Sequence, residues 1–554
     1  MNSDEFGVPA DVRESAPVTT ILRNARFYVG SDWAPDVDAV AVADGRIVAV
    51  GSELSRAGAS VVDLDGAYVL PGFQDAHVHP VQGGMELNRC NLAGLRTRQD
   101  YVAAIVAYAT ANPGVEWILG GGWSMDAFER GTPTADVLDA VLPDRPVFLP
   151  NRDHHSAWVN SRALQLAGIT AATPDPPDGR IERDASGEPT GALHEGAMSL
   201  VALPEPSADE IRDGLLMAQA YLHSLGITGW QDALVGTGLS MPDTLDTYCA
   251  LASSGALTAR VVGALWWDRE RGEEQVDELL SRRARASAAG LDMSSVKIMQ
   301  DGVCETYTAA VLDAYRDEHG HATDNHGIAF IEPAALARYV TRLDRDGFQA
   351  HIHALGDRAV RDALDAIAAA RAANGGSGLR HHLAHLQLVD PADVARFAEL
   401  DVTANVQMLW ACNDKQMSEL TLPFLSPAAR SRQYMFRSLL DAGARLAGGS
   451  DWPVSTPDPF AAMHVAVNRL APPAESESDV PLLPDEALPV RAVIDAFTRG
   501  AAYVNRLDDC GAIAVGNRAD FTVVDRDVLA IPSEELASVR PVRTVVGGET
   551  VWTS

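Results

Sequence analysis

Two histidines two residues apart, His77 and His79, end the segment VLPGFQDAHVHP, an apolar strand running into polar residues. Side chains alternate faces along a strand, so Asp75, His77 and His79 share one face. Two imidazoles at that spacing can grip a single cation. The segment SVKIMQDG places Lys297 on another apolar strand. A buried ammonium is costly unless it is paired or deprotonated. A neutral Nζ can add carbon dioxide to form a carbamate, a carboxylate-like bridge for two divalent ions. The plainer reading is an ion pair with Asp301. Composition bears on this choice, because Lys297 and Lys415 are the only lysines among 44 basic residues. Where charge alone is wanted the chain uses arginine, which stays protonated, so a retained lysine points to chemistry arginine cannot do.

Three further strand ends carry donors. In GFQAHIHALGD, His351 and His353 share a face, and Asp357 reads as a cap for the helix that follows. In LRHHLAHLQLV, alternation sets His381 and His385 on one face and His382 on the other. His385 is nearest the carboxyl end and is the preferred ligand. In LAGGSDWPV, Asp451 directly follows a strand end, where a carboxylate can take a proton from water at a metal. Alone, Asp451 reads equally well as a helix cap. Together, five segments offer His77, His79, Lys297, His353, His385 and Asp451. These nitrogen and oxygen donors without thiolate suit Zn, Mn, Fe or Ni.

Donors this far apart in sequence need a scaffold that gathers strand ends. Between the chain's two ends, strand-like runs alternate with alanine-rich helical runs, which predicts a parallel α/β architecture. A closed (β/α)8 TIM barrel is the form that brings many strand ends to one rim. Short β-branched runs with Asp-Gly turns fill the first ~70 residues and recur in GNRADFTVVDRD and VRTVVGGETVWT. The two ends are expected to pair as one discontinuous β-sandwich domain. The resulting division is a first sandwich segment over 1–70, the barrel over 71–465 with an insertion at about 84–200, and 466–554 as the last barrel helices and the second sandwich segment. The Pro- and Gly-rich insertion could cover a site mouth. Within it, His155 and Glu195 are candidates to hydrogen-bond substrate, and Trp123 to pack on an apolar group. The alternative is that all three only build the subdomain. Asp301 is a candidate beside the substrate or behind a ligand, His351 a candidate behind the ligands, and His154 reads as facing solvent.

The 554 residues include 76 acidic and 44 basic side chains, a net charge of −32. Such a field repels phosphate backbones and anionic lipid, so neither a nucleic-acid nor a membrane partner is expected. Five scattered cysteines without a CxxC pair argue against a disulfide framework and fit a cytoplasmic home. The opening residues lack the basic flank and apolar run of a signal peptide. No apolar run approaches the roughly 20 residues of a membrane span.

The order of these donors resembles the amidohydrolase superfamily of metal-dependent hydrolases. That pattern has HxH on the first barrel strand, Lys on the fourth, His on the fifth and sixth, and Asp on the eighth. The resemblance covers nearly the whole chain. PGFQDAHVHP, HSAWVNSRAL, PTGALHEGA, VKIMQDG, HALGDRAV and GSDWPV are similar to the branch containing N-substituted formamide deformylase.

The resemblance implies a metal-activated hydroxide attacking a non-peptide C–N bond, with Asp451 as general acid and base. It implies one or two divalent ions, zinc being the metal expected, on His77, His79, carboxylated Lys297, His353, His385 and Asp451. The partner expected is a small-molecule substrate, and a homodimer is an analogy only. Two other readings stand beside this one. The same metal site could serve a deaminase or a cyclic amide or ester hydrolase. A non-catalytic regulatory or scaffold protein that kept the fold is a different class, for which lost ligands would be expected.

Overall fold

The computed structural model describes residues 19–52, 54–55, 58–239, 241–473 and 478–554. The opening stretch 1–18, read above as lacking a leader and counted in the first sandwich segment, lies outside the described residues. Eight parallel strands form one sheet in chain order. They are β1 (Phe73–Val78), β2 (Ile227–Val235), β3 (Arg260–Trp266), β4 (Asp292–Met299), β5 (Gln349–Ala354), β6 (His382–His385), β7 (Thr403–Val406) and β8 (Leu446–Gly448). Most are buried on both faces, the signature of a parallel sheet covered by helices. The ring closes just beyond β8, where the Asp451 amide donates to the His77 carbonyl at 2.8 Å and the His79 amide to the Trp452 carbonyl at 2.8 Å. This is the (β/α)8 TIM barrel expected.

The helices between strands carry one apolar face each. Pro333–Arg345 buries Leu336, Val340 and Leu343, a helical spacing against the barrel. Ala208–Ser224 starts with a capping box, in which the Ser207 and Glu210 side chains each bond the other's amide. It crosses Pro80–Asn88 closely. A Cβ on Gly84 would collide with the Gly214 carbonyl, so glycine there lets the two backbones touch. Among the described residues no helix is long and apolar enough to cross a membrane. The five cysteines are all free.

The chain ends meet as expected. Phe521–Val524 pairs antiparallel with Tyr68–Pro71, and Tyr68–Pro71 pairs in turn with Arg26–Val29. A second, four-stranded sheet built on Thr20–Arg23 faces this one across Phe27, Val40, Ile47, Val69, Phe521 and Val545. Between β1 and β2 the chain builds a separate six-stranded sheet from Cys90–Asn91 to Pro189–Glu195. That sheet has its own apolar clusters on its two faces. The helix Pro459–Asn468 runs across the expected boundary at 465.

Candidate metal centre

The six donors converge at the carboxyl rim of the barrel. Asp451 Oδ1 lies 3.2 Å from His77 Nε2 and 3.1 Å from His79 Nε2. Lys297 Nζ lies 3.2 Å from the same His77 Nε2. Asp451 Oδ2 lies 3.8 Å from His385 Nδ1. The His385 ring centroid is 4.8 Å from His77 and 4.5 Å from His353. The alternation of β1 does what it should, since His77 and His79 reach one carboxylate oxygen.

These groups fit a metal ion. The facing atoms of His77, His79 and Asp451 all lie within 4.8 Å of one another. Asp451 Oδ1, His385 Nδ1 and His79 Nδ1 are buried and make no hydrogen bond among the described residues. Buried polar atoms without partners are costly, so such a cluster signals a ligand. Burial alone would raise the Asp451 carboxyl, yet neighbouring imidazoles, His79 and His385 among them, hold it well below the usual carboxylate range. Burial pushes the Lys297 ammonium down to about 8, against the pull of Asp451. A substantial neutral fraction near pH 8 is what carbamate formation needs.

Residues behind the rim aim the donors. Asp301 Oδ1 lies 3.1 Å from His353 Nδ1 and also accepts the Leu355 amide, while its Oδ2 accepts the Gly356 and Ala310 amides. It fixes the ring so that Nε2 is the nitrogen left for a ligand. Asp301 is fully buried in this role, so the structure corrects its place among substrate contacts. Asp75 Oδ1 accepts the amides of His77 and Ser450 and ties β1 to the end of β8.

His385 reaches the site by a route alternation does not predict. His381 faces the helix layer, with Nε2 2.9 Å from Asp344 Oδ1, whereas the His382 ring lies 4.1 Å from His351 inside the barrel. His381 and His385 therefore do not share a face. His385 sits at φ +82, and this left-handed residue breaks the alternation and turns the side chain to the rim. Its ring stacks on Trp410, at 5.4 Å and 9°. Asp357 is likewise not a cap. It is the first residue of its helix, and its Oδ1 accepts the Leu312 amide at 2.8 Å.

The family model for the amidohydrolase family matches residues 60–552. The chain belongs to the amidohydrolase family. It is similar to Protein LONG AFTER FAR-RED 3 of Arabidopsis thaliana, 32% identical across 96% of this chain and 91% of that one. It is similar to N-substituted formamide deformylase of Arthrobacter pascens, 29% identical across 92% and 94%. A solved structure of an uncharacterized metal-dependent hydrolase from Pyrococcus horikoshii shares the fold, with a TM-score of 0.71 at 24% identity, covering 93% of this chain and 99% of that one.

In this amidohydrolase the inserted sheet delivers two of its three expected residues to the rim. His155 Nδ1 lies 2.9 Å from both Glu195 oxygens, and the His155 ring is 5.8 Å from His353. Thr308 donates to Glu195 at 2.8 Å. Burial would lower His155, but Glu195 overrides it and raises the imidazolium to about 9. Trp123 is the exception. It is fully buried between Phe128 and Trp158, and its Nε1 donates to the Leu149 carbonyl at 2.7 Å. Its ring belongs to the insertion's core and presents no face to a substrate.

His154 is half-buried at the edge of a cleft. Gln82 Nε2 lies 2.9 Å from its Nδ1, and Glu86 Oε1 lies 3.4 Å from its Nε2. These three line a solvent-open cleft with Met85, Phe148 and Met241. Gln82 and Met241 also line a smaller crevice at His79 and Asp232.

Proposed function

We propose that this amidohydrolase cleaves a non-peptide C–N bond of the amide or formamide type, releasing a carboxylic acid and an amine. One observation carries the reading: a buried carboxylate oxygen, Asp451 Oδ1, held between two imidazole nitrogens with no hydrogen bond among the described residues. Similarity to a formamide deformylase supports the choice of bond.

His77, His79, Lys297, His353, His385 and Asp451 would hold one or two divalent ions, zinc first. Lys297 would join as a carbamate, formed when its neutral amine adds carbon dioxide and loses a proton. Such an ion, when bound, supplies Lewis acidity that acidifies water and polarises a carbonyl. Asp451, ionised and at the rim, accepts the proton of the attacking water and returns it to the departing nitrogen. His155, charged and held by Glu195, offers its other ring nitrogen to a substrate oxygen. The cleft lined by Gln82, His154 and Met241 takes the substituent. The substrate is a small molecule, and the free cysteines support a cytoplasmic home.

The test is product analysis on metal-loaded protein across N-substituted amides, cyclic amides and amino-heterocycles. Amine and acid released in equal amounts are expected. Ammonia alone would move the assignment to a deaminase. Asp451→Asn should fold normally and lose about 10²–10⁴-fold in kcat. Full activity in that variant would remove the proton-transfer role.

A further inference from the structure

Behind the metal centre a line of four buried side chains runs through the barrel. Asn505 Nδ2 lies 3.4 Å from the Asp75 carbonyl oxygen, and Gln231 Nε2 lies 3.4 Å from Asn505 Oδ1. Gln231 Oε1 lies 2.7 Å from His351 Nδ1, and His351 Nε2 lies 2.8 Å from His77 Nδ1. Asn505 and Gln231 are 1% exposed, and both rings are fully buried. The line begins on β1, passes through the residue after the short helix Ala501–Val504 and through β2 and β5, and returns to β1.

The direction of every bond follows from the first. A backbone carbonyl can only accept, so the Asn505 amide nitrogen must face Asp75. Asn505 Oδ1 then faces Gln231 and accepts from its nitrogen. Gln231 therefore turns its oxygen to His351, and His351 Nδ1 must carry a hydrogen. A neutral imidazole with a hydrogen on Nδ1 has its lone pair on Nε2, so His351 accepts from His77 Nδ1. The His77 lone pair is then on Nε2, the nitrogen facing Asp451 and Lys297. Among the described residues the buried His351 ring bonds Gln231 and His77 and has no carboxylate partner to support an imidazolium, so it is neutral.

We infer that Asn505, Gln231 and His351 are positioning residues that lock His77 in the one tautomer able to bind a metal through Nε2. His351 is thus a wire between Gln231 and His77 and not a ligand. The inference depends on the metal reading of the site but not on the proposed substrate.

The test reads zinc affinity and ring tautomer, neither of which requires turnover. His351→Met keeps the volume and removes the acceptor. Zinc dissociation constants from chelator competition should rise about 10–100-fold. His351→Gln can donate to Gln231 and accept from His77, so it should recover most of the affinity. In the metal-free wild-type protein, ¹⁵N-histidine spectra should show His77 protonated at Nδ1. Should His351→Met not fold, Gln231→Leu carries the same expectation with both rings in place. Zinc binding by the Met or Leu variant as tight as wild type, a Gln variant as weak as the Met variant, or a His77 hydrogen on Nε2 would each overturn the relay. An amide assay that fails while these results hold would count against the substrate reading alone.

Discussion

The two ends of β6 hold the same residue types in opposite states. At the amino end, His381 Nδ1 accepts the Ala350 amide at 2.9 Å, and its Nε2 lies 2.9 Å from Asp344 Oδ1. Asp344 also accepts from Ser377 at 2.6 Å and from Asn374 at 2.9 Å. At the carboxyl end, His385 Nδ1 and Asp451 Oδ1 are just as buried, yet neither has a hydrogen bond among the described residues. Both carboxyls are held below their usual range against the push of burial. A low carboxylate pKa therefore does not mark the functional site. What separates the clusters is closure: one is complete within the protein, and the other is complete only with a ligand.

Metal removal should break the comparison most completely. Chelation should abolish turnover, and zinc should restore it. Reloading should also stabilise the protein, by about 4 kcal/mol when free zinc exceeds its dissociation constant a thousandfold. Thermal unfolding with and without chelator checks this. An unfolding temperature indifferent to zinc would mean that the carboxyl-end cluster is closed in some other way.

The portion of this centre legible in the sequence is the portion that obeys periodicity. His77 with His79, and His351 with His353, lie two apart on strands, and the period of two places each pair on one side. Lys297 stood out because the chain carries almost no lysine, and the other, Lys415, donates to the Asp126 carbonyl at 2.7 Å. The sandwich was legible because β-branched runs at both ends needed partners. His385 was legible from its place nearest the carboxyl end of its strand, but not the way it turns to the rim, because a single left-handed residue overrides alternation and no spacing announces it. Gln231 and Asn505 were missed because their partners lie on other strands. The one available signal was a lone glutamine inside the apolar run ITGWQDAL. The pairing of His155 with Glu195 needed the register of the inserted sheet. Trp123 failed as a substrate contact because an aromatic in a motif packs a core more often than it lines a pocket.

The closed cluster gives the second contrast. Asp344→Ala strips partners from His381, Ser377, Asn374 and Arg371 together, and Asp344 is fully buried. A loss of about 3–5 kcal/mol in unfolding free energy is expected, with kcat per folded molecule unchanged. Denaturant melts and active-site titration separate the two. A fall in kcat at full folding would show that the amino end of β6 feeds the rim and that the clusters are not independent.

The His155–Glu195 pair lies between these extremes, closed at Nδ1 and open at the other nitrogen. Its folded pKa of about 9 exceeds the 6.5 of free histidine. The folded state thus binds the proton more tightly than the unfolded chain. The stability this pair contributes is present in full below about pH 6.5 and falls as pH rises through 9. The loss is on the order of 3 kcal/mol. In Glu195→Gln the imidazolium loses its partner, so this decline should shrink or vanish, while binding of substrate at neutral pH weakens by about tenfold, a loss in the range of one charge-assisted hydrogen bond. Unfolding free energies at intervals from pH 6 to 10 in both proteins decide it. Parallel profiles would mean that His155 is neutral in the folded protein, and the rim would then hold one imidazole fewer able to donate charge to a substrate oxygen.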